Sequence, residues 1–234
     1  MVQSNSFVRV LDKIEWAADK LQSQLAATRH FYQERDMKQA YDQAIRLEET
    51  SERLVLLTRV LPAYTGSPYA DIEVENLIRL CIPVDIGFTK EGWFCVRIPA
   101  LLPKKESGSA DYIRSFLYPA MREFFEKQPP IRYRDCVLIY RHVYSRDRPE
   151  RQKRDHDNIE TNMVSDIVAL YVMPDDGPDI CSHYSCSAAG LEDRTEVYVI
   201  PKAEFPAWFM EEQMMPEEGV MLYEKAPSGP KKDM

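Results

Sequence analysis

No apolar run in this 234-residue chain approaches the roughly 18 residues that a membrane span needs. Met1 to Arg9 also lacks the apolar core of a secretory signal. The expectation is a cytoplasmic protein with no membrane partner. Cysteine is sparse and odd in number: Cys81, Cys95, Cys136, Cys181 and Cys186. They lie mostly in apolar, strand-like contexts, which fits reduced, buried thiols better than a disulfide framework. Cys181, His183 and Cys186 stand close together, but a zinc site needs a fourth ligand and a recognisable spacing. Neither is present, and a strand alternating its faces accounts for the three. Positive charge is short as well. A net charge of −8 argues against a protein that coats DNA nonspecifically.

What the chain does have is enough length for a real core in one or two domains. Its 44% hydrophobic and 29% charged residues are ordinary globular values. Phe7, Val10, Leu11, Ile14, Ala17, Ala18, Leu21 and Leu25 fall at helical spacing. A second helix starts near Asp36, a plausible N-cap, with Ala40, Tyr41, Ala44, Leu47, Leu54, Leu57 and Leu61 on one side until Pro62 stops it. The first helix is expected to fray between His30 and Arg35. Residues 1–65 thus read as a helical hairpin, whose apolar stripes must pack on the downstream domain or on another copy.

Downstream, a short helix over 71–80 precedes a β-hairpin, Val84 to Phe88 and Trp93 to Ile98. Ser109 or Asp111 is expected to cap a helix reaching about Glu126, with a kink at Pro119. A strand over Val137 to Tyr144, a helix over Ile159 to Val172, strands near 180–188 and 196–200 and a helix over 205–214 complete a domain spanning 71–215. Residues 216–234 read as a flexible tail.

The chemistry-bearing stretch is Arg154-Asp155-His156-Asp157-Asn158, with a second acidic pair at Asp175-Asp176. Asp176 lies 21 residues after Asp155, with the expected helix between. Gathered carboxylates repel unless something positive sits among them, and oxygen-only ligand sets suit magnesium. The same residues have a structural role open to them. Asp155 can cap a helix, Asp157 and Glu160 suit its positive end, and Asp175 to Pro178 make a turn. Because an extended segment alternates its faces, His156 points away from its neighbours and carries no catalytic role.

From about Arg151 to Pro201 these residues resemble the RusA-type Holliday-junction resolvases, a family of phage-derived endonucleases. A basic run (Arg151, Lys153, Arg154) leads into D-x-D-N (Asp155, Asp157, Asn158). A helix, the D-D pair and a strand pair whose last member opens at Arg194-Thr195-Glu196 follow in order. More weakly, the resemblance extends back to Ile82 through the hairpin, the helix and the strand that enters the basic run. It implies an α/β (α+β) fold, with the N-terminal two-helix hairpin packed on a RusA-like domain that has a mixed β-sheet. It further implies catalytic magnesium held by Asp155, Asp157 and Asp176, and a homodimer matched to the two-fold symmetry of a four-way junction. Asn158 and Asp175 would act behind those ligands, and Arg151, Lys153 and Arg154 would contact DNA phosphate. The chain departs from the family at Thr161, where the family has a lysine that matters for cleavage. As a whole it also resembles uncharacterised mobile-element proteins of Firmicutes.

Charge is uneven along the chain. Arg132 to Arg154 holds eight basic residues against three acids. Ending at the carboxylates, that run would bring phosphate to a metal; as a solvated loop it would serve only solubility. The expected function is a magnesium-dependent endonuclease for branched DNA in recombination or repair. The alternative is an inactive RusA-like scaffold that binds nucleic acid or protein.

Overall fold

The computed structural model describes residues 2–105, 108–129, 131–148 and 155–226. The chain divides into two compact units, Met1–Leu77 and Ile78–Met234.

In the first unit, α1 (Val2–Gln33) and α2 (Met37–Val60) pack on each other. Asp36 caps α2 as expected, accepting a hydrogen bond from the Gln39 amide. Instead of fraying, α1 runs to Gln33, and the chain reverses through Arg35 at φ 59. The buried positions of α1 are Val10, Ala17 and Gln24, spaced by sevens as in a helix–helix seam. Leu25 and Tyr41, expected on the stripes, are exposed. Buried Ala40 and Thr50 on α2 are small enough to let the two backbones approach. A 3-10 turn over Leu61–Thr65 ends the hairpin, and α3 (Ala70–Cys81) crosses the division between the units.

The second unit is a five-stranded mixed sheet: β1 (Asp85–Phe88), β2 (Phe94–Ile98), β3 (Cys136–Ser145), β4 (Cys181–Gly190) and β5 (Arg194–Pro201). Their order is β1-β2-β5-β3-β4. Only β3 and β4 run parallel, which requires a crossover. That crossover is α5 (Asn162–Val172). The fold class is α+β, as the sequence indicates.

Alternation along the strands sorts side chains to two faces. On one, Trp93, Cys95, Val137, Ile139, Tyr198 and Ile200 pack with Trp208 of α6 (Phe205–Glu212). On the other, Phe94 meets Phe124 and Phe125 of α4 (Ser109–Glu126), and the Tyr140 hydroxyl bonds to Ser165 of α5. Pro119 lies buried inside α4, which is one element across it. Neither Ser109 nor Asp111 is the N-cap. Gly108 at φ 96 holds that position, while the Ser109 hydroxyl donates to the Lys104 carbonyl.

A row of alternating charge crosses the first face. Arg97 of β2 is the register partner of Asp85 in β1 and of Glu196 in β5, and Glu196 in turn is opposite Arg141 of β3. Glu196 is fully buried, and takes hydrogen bonds from Arg141 (3.0 Å), Arg194 (2.7 Å) and the Tyr198 hydroxyl (2.9 Å). Arg141 also reaches Glu212 of α6 at 2.9 Å. Opposite charges directly across strands stabilise a pairing, and the Arg141–Glu196 pair of the row is hydrogen-bonded as well.

The expected flexible tail is partly a structural strap. Tyr223 and Phe88 exchange two backbone hydrogen bonds of 2.8 Å, adding an antiparallel bridge beside β1. Arg97 donates to the Val220 carbonyl. Gly219, at φ 93, lies so close that a Cβ there would stand 2.7 Å from the Arg97 guanidinium and 2.9 Å from the Glu196 carboxylate. The reason is electrostatic: the half-buried Arg97 guanidinium needs another acceptor, and a carbonyl of the C-terminal segment provides it. Residues 227–234 lie outside the described residues.

Burial pushes the Glu196 carboxyl up, but the charge of Arg141 and the hydrogen bonds and charge of Arg194, with the Tyr198 hydroxyl, outweigh it. They hold the group below the ordinary value of 4.5. A depressed carboxylate stabilises the fold above its unfolded pKa, and that contribution fades as pH falls through the folded one. Glu196→Gln is therefore expected to cost about 3–5 kcal/mol at neutral pH, measured by urea unfolding. The gap to the parent should narrow below about pH 4.5. Equal stability at neutral pH would show that the row contributes nothing.

Candidate metal and nucleic-acid site

The residues around the D-x-D-N motif do not start a helix. Asp155 is extended (φ −68, ψ 132), His156–Asn158 form a single 3-10 turn, and Ile159 is extended again. The cause is tertiary. Ile159 is buried and bridges Lys104, the Asn158 carbonyl accepts from the Lys105 amide at 3.0 Å, and the Glu160 amide donates to Pro103 at 2.9 Å. That pairing holds the segment extended and delays α5 to Asn162. Glu160 then accepts from the Met163 amide at 3.3 Å, a capping role the sequence offered to Asp155. Asp155, His156, Asp157 and Asn158 are all exposed.

His156 carries no assigned chemistry, yet it is fixed. Its Nε2 lies 2.8 Å from the Ser187 hydroxyl of β4, and its ring centroid is 5.3 Å from that of His142. The turn therefore sits over the later part of β4. Thr161, at the position of the family lysine, uses its carbonyl to accept from Tyr140 at 3.0 Å.

Past the other end of α5, Arg132 donates to the carbonyls of Leu170 and Met173, both at 3.3 Å. That is a cation capping a helix C-terminus. The Asp175 carboxylate accepts from the Asp176 amide at 2.9 Å, so Asp175 serves the turn into β4. Asp176 lies among other groups. Burial, then the charges of Asp176 and Glu160, raise the Asp166 carboxyl above its ordinary value. Asp176 also acts on His183, whose imidazole is raised mainly by its hydrogen bond to Cys181.

Both acid-bearing segments thus face the same side of the sheet, one beside Ser187 and one beside His183. Four residues of extended strand separate those neighbours, roughly 13 Å at about 3.3 Å per residue. Among the described residues no three His, Cys, Asp or Glu side chains are grouped to hold a metal ion. The donor chemistry of Asp155, Asp157 and Asp176 suits magnesium, but their positions do not make a preformed site. The acid whose carboxyl feels the charge of Asp176 is Asp166, which the D-x-D-N and D-D motifs do not include. Its place on the exposed side of α5, one turn beyond Asn162, was the signal available for it.

Four of the five described members of the basic run are engaged in the fold. Arg132 caps α5, Arg141 is buried against Glu196, Arg146 pairs with Glu217, and Arg148 pairs with Asp193. Arg134 is exposed. Arg151, Lys153 and Arg154 lie outside the described residues. The stretch is therefore no continuous basic surface among the described residues, because sheet and helix ends consume its guanidinium groups. The Asp85-Arg97-Glu196-Arg141 row went unnoticed in sequence. Its signal was a period-2 set of polar residues, Arg194, Glu196 and Tyr198, inside an otherwise apolar strand.

The model of DUF6100, a family of unknown function, matches residues 3–226. The chain belongs to that family. No curated protein matches this DUF6100 member. Among solved structures, the periplasmic domain of Helicobacter pylori MotB (residues 90–256) is similar at 12% identity. That match covers 54% of this chain and 86% of the other, with a TM-score of 0.28.

Asp176→Asn is expected to bring the Asp166 carboxyl down toward its ordinary value, since one repelling charge is removed. A carboxyl-detected NMR titration reads this directly. An unmoved Asp166 would mean that burial and Glu160 set it without Asp176.

Proposed function

We propose that this chain is a RusA-like endonuclease for branched DNA, with Asp155, Asp157 and Asp176 as the acids on which magnesium-dependent cleavage depends. One observation carries the reading. Hairpin, helix, strand, acidic turn, helix, acid pair and two further strands follow in the expected order in one sheet, the last two flanking β3 rather than pairing with each other, and both acidic segments face the same side. Magnesium, when bound, would activate water and offset charge on the leaving oxygen. The chain's own residues set the frame: Glu160 and Arg132 fix the two ends of α5, and the loop at Pro103 and Lys105 holds the acidic turn.

A second reading is a RusA-like protein that binds nucleic acid or a protein partner without cutting. It is favoured by the lack, among the described residues, of three grouped metal-ligating side chains, and by Thr161 at the family lysine position. Cleavage of junction, flap and duplex DNA with and without magnesium distinguishes the two. For the nuclease, Asp157→Asn should reduce cleavage by at least the roughly 100-fold that loss of a group behind a metal ligand costs. The fold should be retained, and Thr161→Lys should raise cleavage. If neither the parent nor Thr161→Lys cuts any branched DNA, the binding reading stands.

The same proposal includes a homodimer. β4 is the last strand of the sheet, and among the described residues no strand pairs with its outer edge. Its ten residues, Cys181–Gly190, contain no Asp, Glu, Lys, Arg or Pro, the residues by which edges are usually blocked. Antiparallel pairing with a second β4 would bring no like charges together. Sedimentation should show a dimer, and Ser185→Lys, at an exposed β4 position, should give a folded monomer. A strict monomer for the parent at micromolar concentration would remove this part of the reading.

A further inference from the structure

A cleft on the α6 face of the sheet, the face opposite the acidic turn, has no part in the DNA reading. Its volume is about 350 Å³, within the roughly 300–1,000 Å³ of small-molecule sites. Two of its lining residues are anchored in the core: Trp93 is buried in the cluster of that face, and Met215 packs against the cluster. Met214, Met221 and Tyr223 line it too, yet they remain 76%, 73% and 42% exposed. Apolar surface left in water around a concavity is the kind that a ligand covers.

Both walls are fixed by backbone bonds. On one side, the turn between β1 and β2 closes through the Thr89 amide on the Trp93 carbonyl at 2.9 Å and the Gly92 amide on the Thr89 carbonyl at 3.0 Å. On the other, the chain turns back after α6. The Met214 amide donates to Glu211 and the Gly219 amide to Pro216, both at 2.9 Å, before Tyr223 pairs with Phe88. The cleft therefore exists before a ligand arrives, and little ordering is left for binding to impose.

Its lining selects the chemistry of an occupant. Thioethers adapt to shape and make favourable contacts with aromatic rings, and Tyr223 offers a ring of its own. A flat aromatic body suits such walls. Charge at the rim is uneven. The Lys90 ammonium stands 3.2 Å from Glu91 and 3.7 Å from Glu211, so one cation bridges the turn and α6. The hydrogen bond and charge of Glu91, then the charge of Glu211, hold that ammonium above its ordinary value. Glu204 adds a third carboxylate close by, accepting from the Trp93 indole at 2.6 Å. Three negative groups against one positive favour a cation, and the aromatic rings favour it further. We infer that this cleft is a binding site for a small aromatic cation, its ring against the methionines and Tyr223 and its ammonium in the place of Lys90 between Glu91 and Glu211. The Lys90 side chain, 72% exposed, swings into solvent when the ligand binds. Lys90 is thus an internal competitor. Because Tyr223 belongs to the segment that covers β1, the ligand also braces that strap.

The test uses the full chain and needs no DNA. The methionine methyl groups are labelled with carbon-13 and assigned by single Met→Leu variants. Three indoles of similar shape are then titrated: tryptamine as cation, indole as neutral body and indole-3-acetate as anion. Tryptamine should move the Met214, Met215 and Met221 signals saturably and bind several-fold more tightly than indole, with indole-3-acetate weakest. Glu211→Gln should weaken tryptamine several-fold, whereas Lys90→Ala should strengthen it. That opposite sign separates an internal competitor from a receptor for anions. Unmoved signals from the other methionines check that both variants keep the fold. Saturating tryptamine should also raise the melting temperature, as any ligand of the folded state does. The proposal is overturned if the three methionine signals show no saturable shift. It is equally overturned if indole or indole-3-acetate binds as tightly as tryptamine, or if Lys90→Ala weakens tryptamine.

Discussion

The second unit depends on one buried carboxylate. Glu196 sits in β5 with a strand on either side, and each of those strands places an arginine opposite it. A carboxylate taken out of water is costly unless charge and hydrogen bonds compensate it. Arg141, Arg194 and Tyr198 do so here, with Arg97 close behind at 3.8 Å. The compensation has geometric consequences. A slip of one residue in β5 would turn Glu196 to the opposite face, among the apolar groups packed by α4 and α5. The row is therefore a device that fixes register as much as one that stabilises.

That constraint propagates outward. Arg141 bonds Glu212 and so ties α6 to the sheet, next to the packing of Trp208 on Tyr198. Arg97 reaches the Val220 carbonyl and draws the C-terminal segment over the row. Only a glycine at 219 lets the backbone come so close. With Phe88 and Tyr223 exchanging backbone hydrogen bonds, the edge at β1 is covered. The other edge, β4, carries no comparable cover among the described residues. The sheet has one protected margin and one open one.

The parts legible in the sequence were those governed by local pattern. The helical stripes of α1 and α2, the Asp36 cap and the alternation of the strands follow from periodicity and capping chemistry, and element order followed from these. The parts that were not legible depend on distant partners. Nothing within the sequence near Ile159 shows that Pro103 and Lys105 will hold it extended, so the helix begins three residues later than its apolar spacing suggests. Mixed charge after Glu217 reads as a tail because the acceptor role of the Val220 carbonyl belongs to Arg97, 123 residues earlier. The arginines of β3 and its following loop read as a basic surface because their acidic partners, Asp193, Glu196, Glu212 and Glu217, all lie at least 45 residues onward.

The same contrast bears on the acids. Motif spacing gave Asp155, Asp157 and Asp176 a shared destination, but spacing does not state what the intervening backbone is bonded to. The 3-10 turn carrying Asp157 is held on one side through buried Ile159 and the loop at Pro103, and on the other through His156 and Ser187. Asp176 is held by the turn that opens β4, where Gly177 accepts from two amides at 2.9 Å. The placing of each segment is thus a property of its backbone anchorage. Carboxylates without a cation repel, so nothing in the chain itself pulls the two segments together. Any attraction that joins them has to come from a bound ion or from DNA, and it must exceed the hydrogen bonds that hold the turn against Pro103 and Lys105.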